Sequence, residues 1–245
     1  MIRALNRRQA VGLLVLFLLI SATVTATALA ISFGVRLAAE EEPEAPTYYD
    51  QKCAAFHLEN STDSRGQAIF IGDSITDGYR LDDHYTALPF ATYNRGISGD
   101  TTAGVLARLE VSVFALAPAR VVLMIGTNDV DWGVPPEETV ANYRAIVRAI
   151  RERLPEAMLY CMSVIPQNDT VENYGLDHKR NTAAIRALNA EILTIAEAEG
   201  GQYIDLFTPL TDESGYLDHA YSGDGLHLNT EGYRIWTSVL LPYLK

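Results

Sequence analysis

The sequence predicts an α/β domain built on a parallel sheet, with one apolar helix ahead of it. Three observations carry that expectation. Five short apolar runs rich in β-branched residues recur along the body, mostly continuous rather than alternating, as strands buried on both faces are. Stretches of helical period lie between them, and strands alternating with helices build parallel sheets. Residues 9 to 35 contain no charge. With 245 residues, 48% of them apolar, the chain has material for one such domain and an appendage.

The uncharged stretch comes first. It is rich in Leu, Val, Ile and Ala, and about 20 such residues in a helix cross a bilayer. Arg3, Arg7 and Arg8 precede it, which places the N-terminus in the cytoplasm and the body outside. The block Ala10 to Ile20, followed by small residues ending Ala28-Leu29-Ala30, has the form of a cleavable signal peptide. Apolar character continues through Ile31, Phe33 and Val35, which favours an uncleaved anchor. Either form exports the body, to the membrane surface or beyond it. Residues 1–39 are read as this signal or anchor, and 40–65 as an acidic linker and lead-in that opens with the spacer EEEPEAP. Residues 66–245 are read as the domain proper.

Within that domain the strand candidates are Ala68–Gly72, Thr92–Gly96, Arg120–Gly126, Met158–Val164 and Gln202–Phe207. A first helix is expected near Asp100 as its cap, with Val105, Leu106, Leu109 and Val113 inward. Pro135-Pro136-Glu137-Glu138 opens a second, with proline and acids at its positive end. Val140, Tyr143, Val147, Ile150 and Leu154 then share one face, and Arg151 and Arg153 close the helix at its negative end. A third carries Ile185, Leu188, Ile192 and Ile195 on one face and stops at Gly200-Gly201. The last runs from about Thr230 to Leu241 with Tyr233, Trp236 and Leu240 inward.

Charge narrows the partners. The formal net charge is -12, and Arg3, Arg7, Arg8 and Arg36 are the only charged side chains before Glu40, so the body is more acidic than the whole. Such a body repels phosphate backbones and anionic lipid surfaces, which argues against nucleic acid as a partner. Acidity also simply keeps a domain soluble. The two cysteines, Cys53 and Cys161, form no Cys-x-x-Cys pair, so a thiolate zinc site is absent; a disulfide between them stays open.

In parallel α/β sheets, ligands bind beyond the C-terminal ends of the strands. After the first strand stands Gly72-Asp73-Ser74-Ile75-Thr76, after the second Gly96-Ile97-Ser98-Gly99-Asp100, after the third Gly126-Thr127-Asn128-Asp129. Asp224-Gly225-Leu226-His227 precedes the last helix. Each alone is ordinary turn chemistry. Together they supply the parts of acyl transfer. A serine hydroxyl needs a base, for which histidine is suited, and the imidazole needs a carboxylate to hold its tautomer. Ser74 sits where strand turns into helix. Asp224 and His227 are close enough for one turn to join them. An oxyanion needs fixed donors, and the amides of Ser74 and Gly99 and the side chain of Asn128 can provide them.

The blocks GDSIT, NRGISGDTT, GTND and DGLHLN resemble the four blocks of the SGNH (GDSL-like) hydrolase superfamily, in the expected order, over about residues 66 to 245. Asn94 to Thr102 is similar to the matching block of platelet-activating-factor acetylhydrolase-like esterases. The resemblance implies a three-layer α/β/α flavodoxin-like sandwich with strand order 2-1-3-4-5. It implies Ser74 as nucleophile, Asp224 and His227 as its triad partners, and Ser74, Gly99 and Asn128 as the oxyanion hole. Asp73 and Asp129 match family acids that brace loops.

Other readings compete. Asp218, His219, Asp224 and His227 crowd a short stretch and have metal-ligand chemistry, but a metal leaves Ser74, Gly99 and Asn128 unexplained. Asp218 with His219 is a rival base pair. A non-catalytic binding module and an O-acyltransferase remain alternatives on the same fold. The serine mechanism needs no metal and no organic cofactor. Tyr79, Tyr93, Trp132 and Leu226 lie near the motif turns as pocket candidates or as ordinary packing. No long insertion forms a lid, which suits a short acyl group such as acetyl. The expected substrate is a small-molecule or polysaccharide ester, with a lysophospholipid or short-chain lipid ester as the alternative.

Overall fold

The structure, a computed structural model, describes residues 7–38, 45–171 and 181–245. It divides into two compact units, Met1–Pro46 and Thr47–Lys245. The first holds helix α1 (Arg7–Ala38). Its segment Val11–Ile31 has a mean hydropathy of 2.4 over 21 residues, long and apolar enough to cross a membrane. The hydroxyls of Thr23, Thr25 and Thr27 donate to carbonyls one turn back, so these polar groups are satisfied inside the helix.

The second unit begins with helix α2 (Tyr48–Glu59). A reciprocal capping box starts it: the Thr47 hydroxyl accepts from the Asp50 amide, and the Asp50 carboxylate accepts from the Thr47 amide. The capped helix stands at the start of the compact unit Thr47–Lys245. Only Phe56 of this helix is buried, so no apolar period marks it in the sequence.

Strands β1 (Ala68–Gly72), β2 (Thr92–Gly96), β3 (Arg120–Met124), β4 (Met158–Met162) and β5 (Gln202–Ile204) form one sheet in the order β2-β1-β3-β4-β5, all pairs parallel. Helices α3 (Ser74–Asp77), α4 (Leu81–His84), α5 (Thr102–Ala107), α6 (Leu109–Ser112), α7 (Thr127–Asp131), α8 (Pro136–Arg153), α9 (Thr182–Glu199) and α10 (Thr230–Leu244) complete it. Alternate strand residues feed two cores. Ile69, Ile71, Val121, Leu123, Leu159 and Cys161 pack with α5, α8 and α9. Phe70, Val122, Met124, Tyr160 and Met162 pack with α3, α4 and α10. This three-layer arrangement and strand order are those expected.

Several boundaries differ. The third, fourth and fifth strands stop short of Gly126, Val164 and Phe207, although the residues beyond, Asp205 excepted, are buried. Past β4 and β5 the ladder gives way to side chains. Val164 exchanges both backbone hydrogen bonds with the Asn189 amide, and the Leu206 and Phe207 amides donate to Ser163 Oγ. The helix expected from Asp100 is broken at Arg108 into α5 and α6, and its cap is Thr101. Asp100 is committed elsewhere, to Arg108. The last helix runs on to Leu244, which is buried on the same face as Leu240. Tyr233 is half-buried at the edge of its core. Gly200 closes α9 in the left-handed conformation, as expected.

Candidate active site

Where β1 ends, Asp73 caps α3 by accepting the Ile75 amide at 3.0 Å, and Ser74 opens the helix at the sheet's C-terminal edge. Ser74 Oγ lies 3.0 Å from His227 Nε2. His227 Nδ1 lies 2.7 Å from Asp224 Oδ2. Asp224 Oδ1 accepts from the amides of His227 (2.8 Å) and Leu226 (2.9 Å) and from Ser222 Oγ (3.2 Å). One turn thus binds the carboxylate to the imidazole and to the backbone that carries it. Burial pulls the Asp224 carboxyl upward, but the His227 ring and the two amides outweigh it and bring it down to about 2. With Asp224 ionised, Nδ1 must donate, which leaves the Nε2 lone pair facing the serine hydroxyl.

The donors expected opposite this pair come from two neighbouring loops. Gly99 has φ +80, a left-handed conformation that suits glycine, and a Cβ there would meet the Trp132 ring at 3.7 Å. Asn128, buried at the start of α7, donates from Nδ2 to the Asp100 carbonyl at 2.7 Å. That bond uses one of two amide hydrogens and ties the loop after β3 to the loop after β2. Asp129 accepts from the Thr102 amide and hydroxyl, joining the same two loops.

Behind the site lie two groups of a different kind. The Asp73 carboxyl is fully buried and pushed up to about 7 by that burial, against the pull of the Ile75 amide; among the described residues its Oδ2 has no hydrogen-bond partner. Arg108, also buried, was not singled out by the sequence reading. Its guanidinium donates to Asp100 (2.7 Å), to Ser112 Oγ (2.8 Å) and to the carbonyls of Arg95 (2.8 Å) and Gly72 (3.0 Å). It therefore joins the ends of β1 and β2 to the Gly99 loop. An arginine three residues after Val105, on the inward face of an apolar helix, was the signal.

His219 lies elsewhere in the network: its Nε2 is 3.4 Å from Asn168 Nδ2, and Asp218 accepts the Ala220 amide. Of the four pocket candidates, Tyr79 and Leu226 are buried and Tyr93 is half-buried. Trp132 is 51% exposed and lies beside Gly99. Cys53 and Cys161 are unpaired thiols. Among the described residues, no group of three or more His, Cys, Asp or Glu side chains is gathered to hold a metal.

A family model described as the GDSL-like lipase/acylhydrolase family matches residues 70–235. The chain belongs to this family. Among the relatives of the chain is the platelet-activating factor acetylhydrolase IB subunit alpha1 of Bos taurus, 28% identical over 177 residues that cover 71% of this chain and 73% of that one. A structure from Streptococcus pneumonia, assigned as a platelet activating factor, is 26% identical with a TM-score of 0.76 and covers 91% of this chain and 99% of that one. The acetylxylan esterase Axe2 of Geobacillus stearothermophilus, at 23% identity and a TM-score of 0.59, covers 74% and 94% and shares the fold. As a GDSL-like acylhydrolase, the chain is an ester-hydrolysing serine hydrolase.

Proposed function

We propose that the protein is an exported esterase that removes small acyl groups, acetyl first, from carbohydrate, with Ser74 as nucleophile and His227 and Asp224 as its base. One observation carries this reading: the continuous relay from Ser74 Oγ to His227 Nε2 at 3.0 Å and from Nδ1 to Asp224 at 2.7 Å. As His227 takes the hydroxyl proton, Ser74 Oγ attacks the ester carbonyl, and Asp224 steadies the imidazolium. The oxyanion rests on the amides of Ser74 and Gly99 and on the second hydrogen of Asn128 Nδ2. His227 returns its proton to the leaving alcohol. Water, deprotonated by His227, then cleaves the acyl-enzyme to acid and free serine.

Export is supported by the apolar helix Val11–Ile31 with Arg7 and Arg8 ahead of it. Acetyl is supported by the bovine relative, an acetylhydrolase by name. Carbohydrate is supported by Trp132, an aromatic side chain half-exposed beside Gly99. The test compares wild type, Ser74→Ala and Trp132→Ala on nitrophenyl esters of rising acyl length and on acetylated oligosaccharides. Wild type should favour acetate and Ser74→Ala should be almost inert; undiminished turnover by Ser74→Ala refutes the nucleophile. Trp132→Ala should raise KM for the oligosaccharide about 3- to 10-fold with little change for nitrophenyl acetate. Equal effects on both substrates would remove the sugar reading.

A further inference from the structure

We propose that helix α2 is a positioning element of the esterase site: Tyr48 and Lys52, acting through Asp77, hold Ser98 and with it the amide of Gly99. The inference rests on the reading of Gly99 as an oxyanion donor. Asp77 is the last residue of the short helix that Ser74 begins. Its carboxylate collects donors from two directions. Lys52 Nζ reaches Oδ1 at 2.8 Å, and Tyr48 OH reaches Oδ2 at 2.7 Å, both from α2. The Ser98 amide (3.1 Å) and hydroxyl (2.9 Å) reach the same Oδ2. The residue just before Gly99 is thus tied to the helix of the nucleophile through one carboxylate.

The carboxylate needs its outside donors. The Asp77 side chain is only 12% exposed, and a carboxylate so placed must be bonded or recover water. Without Tyr48 and Lys52, solvation of Asp77 competes with its hold on Ser98. Slack is small, because β2 packs directly on α3: a Cβ on Gly96 would collide with the backbone of Thr76 and Asp77. The far end of α2 grips the other end of the same segment. Arg95 is buried and donates to Glu59 (2.8 Å), to Asn60 just beyond the helix (3.1 Å) and to Asp63 (2.7 Å), with its guanidinium 4.8 Å from the Phe56 ring. Arg95 and Ser98 bracket the turn that delivers Gly99, and α2 with its trailing residues holds both.

The test uses the full chain and nitrophenyl acetate, with Tyr48→Phe/Lys52→Met as the variant and Tyr48→Phe/Lys52→Arg as its conservative counterpart. A donor displaced by a fraction of an ångström should lower kcat about tenfold and leave KM within about twofold. The arginine variant, which keeps the cation on Asp77, should recover most of the loss. A wild-type kcat in the methionine variant overturns the proposal. So does an equal loss in both variants that follows a falling Tm, which marks α2 as a stability element only. Ser74→Ala is run alongside: if it stays active, the nucleophile assignment has failed; if it is dead while the methionine variant is unimpaired, only the role of α2 has failed.

Discussion

In the proposed triad, Asp224→Asn removes the charge beside His227 while sparing the turn. Oδ1 holds the loop through two amides at 2.8 and 2.9 Å and the Ser222 hydroxyl at 3.2 Å, and an asparagine carbonyl oxygen accepts the same bonds. The other end then presents an NH2 to Nδ1 across a gap of 2.7 Å. Nδ1 must become the acceptor, so the ring proton moves to Nε2, facing Ser74 Oγ at 3.0 Å. A hydroxyl cannot pass its proton to a nitrogen that already carries one. In serine triads this change, with geometry intact, costs about 10⁴-fold in kcat, about 5.4 kcal/mol at 1.36 kcal/mol per decade. The stability cost should be small. The His227 and Asp224 side chains are 43% and 51% exposed, and exposed ion pairs contribute about 0–1 kcal/mol. The assay is kcat on nitrophenyl acetate beside thermal unfolding. Because the wild-type carboxyl titrates at about 2, its stabilising charge is present above about pH 4 and lost only as pH falls through about 2, so the defect should hold across pH 5–8. A kcat within tenfold of wild type, or a loss explained by a collapsed Tm, refutes the reasoning.

Asn128→Ala should cut kcat about 100- to 1000-fold with KM little changed; steady-state kinetics showing less than a fivefold loss would remove Asn128 from the oxyanion hole. Asp73 takes up a proton on folding between about pH 4 and 7, because its carboxyl rises from 3.8 to about 7, so its contribution to stability falls as pH rises through that window. Asp73→Asn, which keeps an acceptor for the Ile75 amide, should raise Tm at pH 8 more than at pH 5, and a pH-independent difference would contradict this. Arg108→Met strands the buried Asp100 carboxylate at a cost of about 3–5 kcal/mol. For a chain of this size Tm should drop about 6–20 °C in calorimetry, and a drop under about 3 °C would mean the pair holds little.

Strands β1, β3 and β4 were legible because they are buried on both faces over most of their length and read as apolar runs, β1 with all five residues buried. Helices α8 and α9 were legible for a related reason, since one apolar face of each meets the sheet. Helix α2 was not: it buries only Phe56 and is held by ion pairs and hydrogen bonds, which leave no period. Asp100 has the composition of a helix cap, but the buried guanidinium of Arg108 claims it and Thr101 takes the role. The strand ends misled because Val164, Leu206 and Phe207 stay buried while bonding to side chains instead of a neighbouring strand. The contact between Ser74 and His227 spans 153 residues, and what anticipated it was the requirement of acyl-transfer chemistry together with the resemblance of GDSIT and DGLHLN to family blocks. The same requirement says nothing of Asp77 or Lys52, which touch no reacting atom.

The most direct measurement is covalent. Wild-type protein treated with a serine-reactive phosphonate should gain one adduct, mapped by peptide mass spectrometry to Ser74, and His227→Ala should gain it far more slowly. An adduct on another serine, or labelling of His227→Ala at the wild-type rate, would contradict the account.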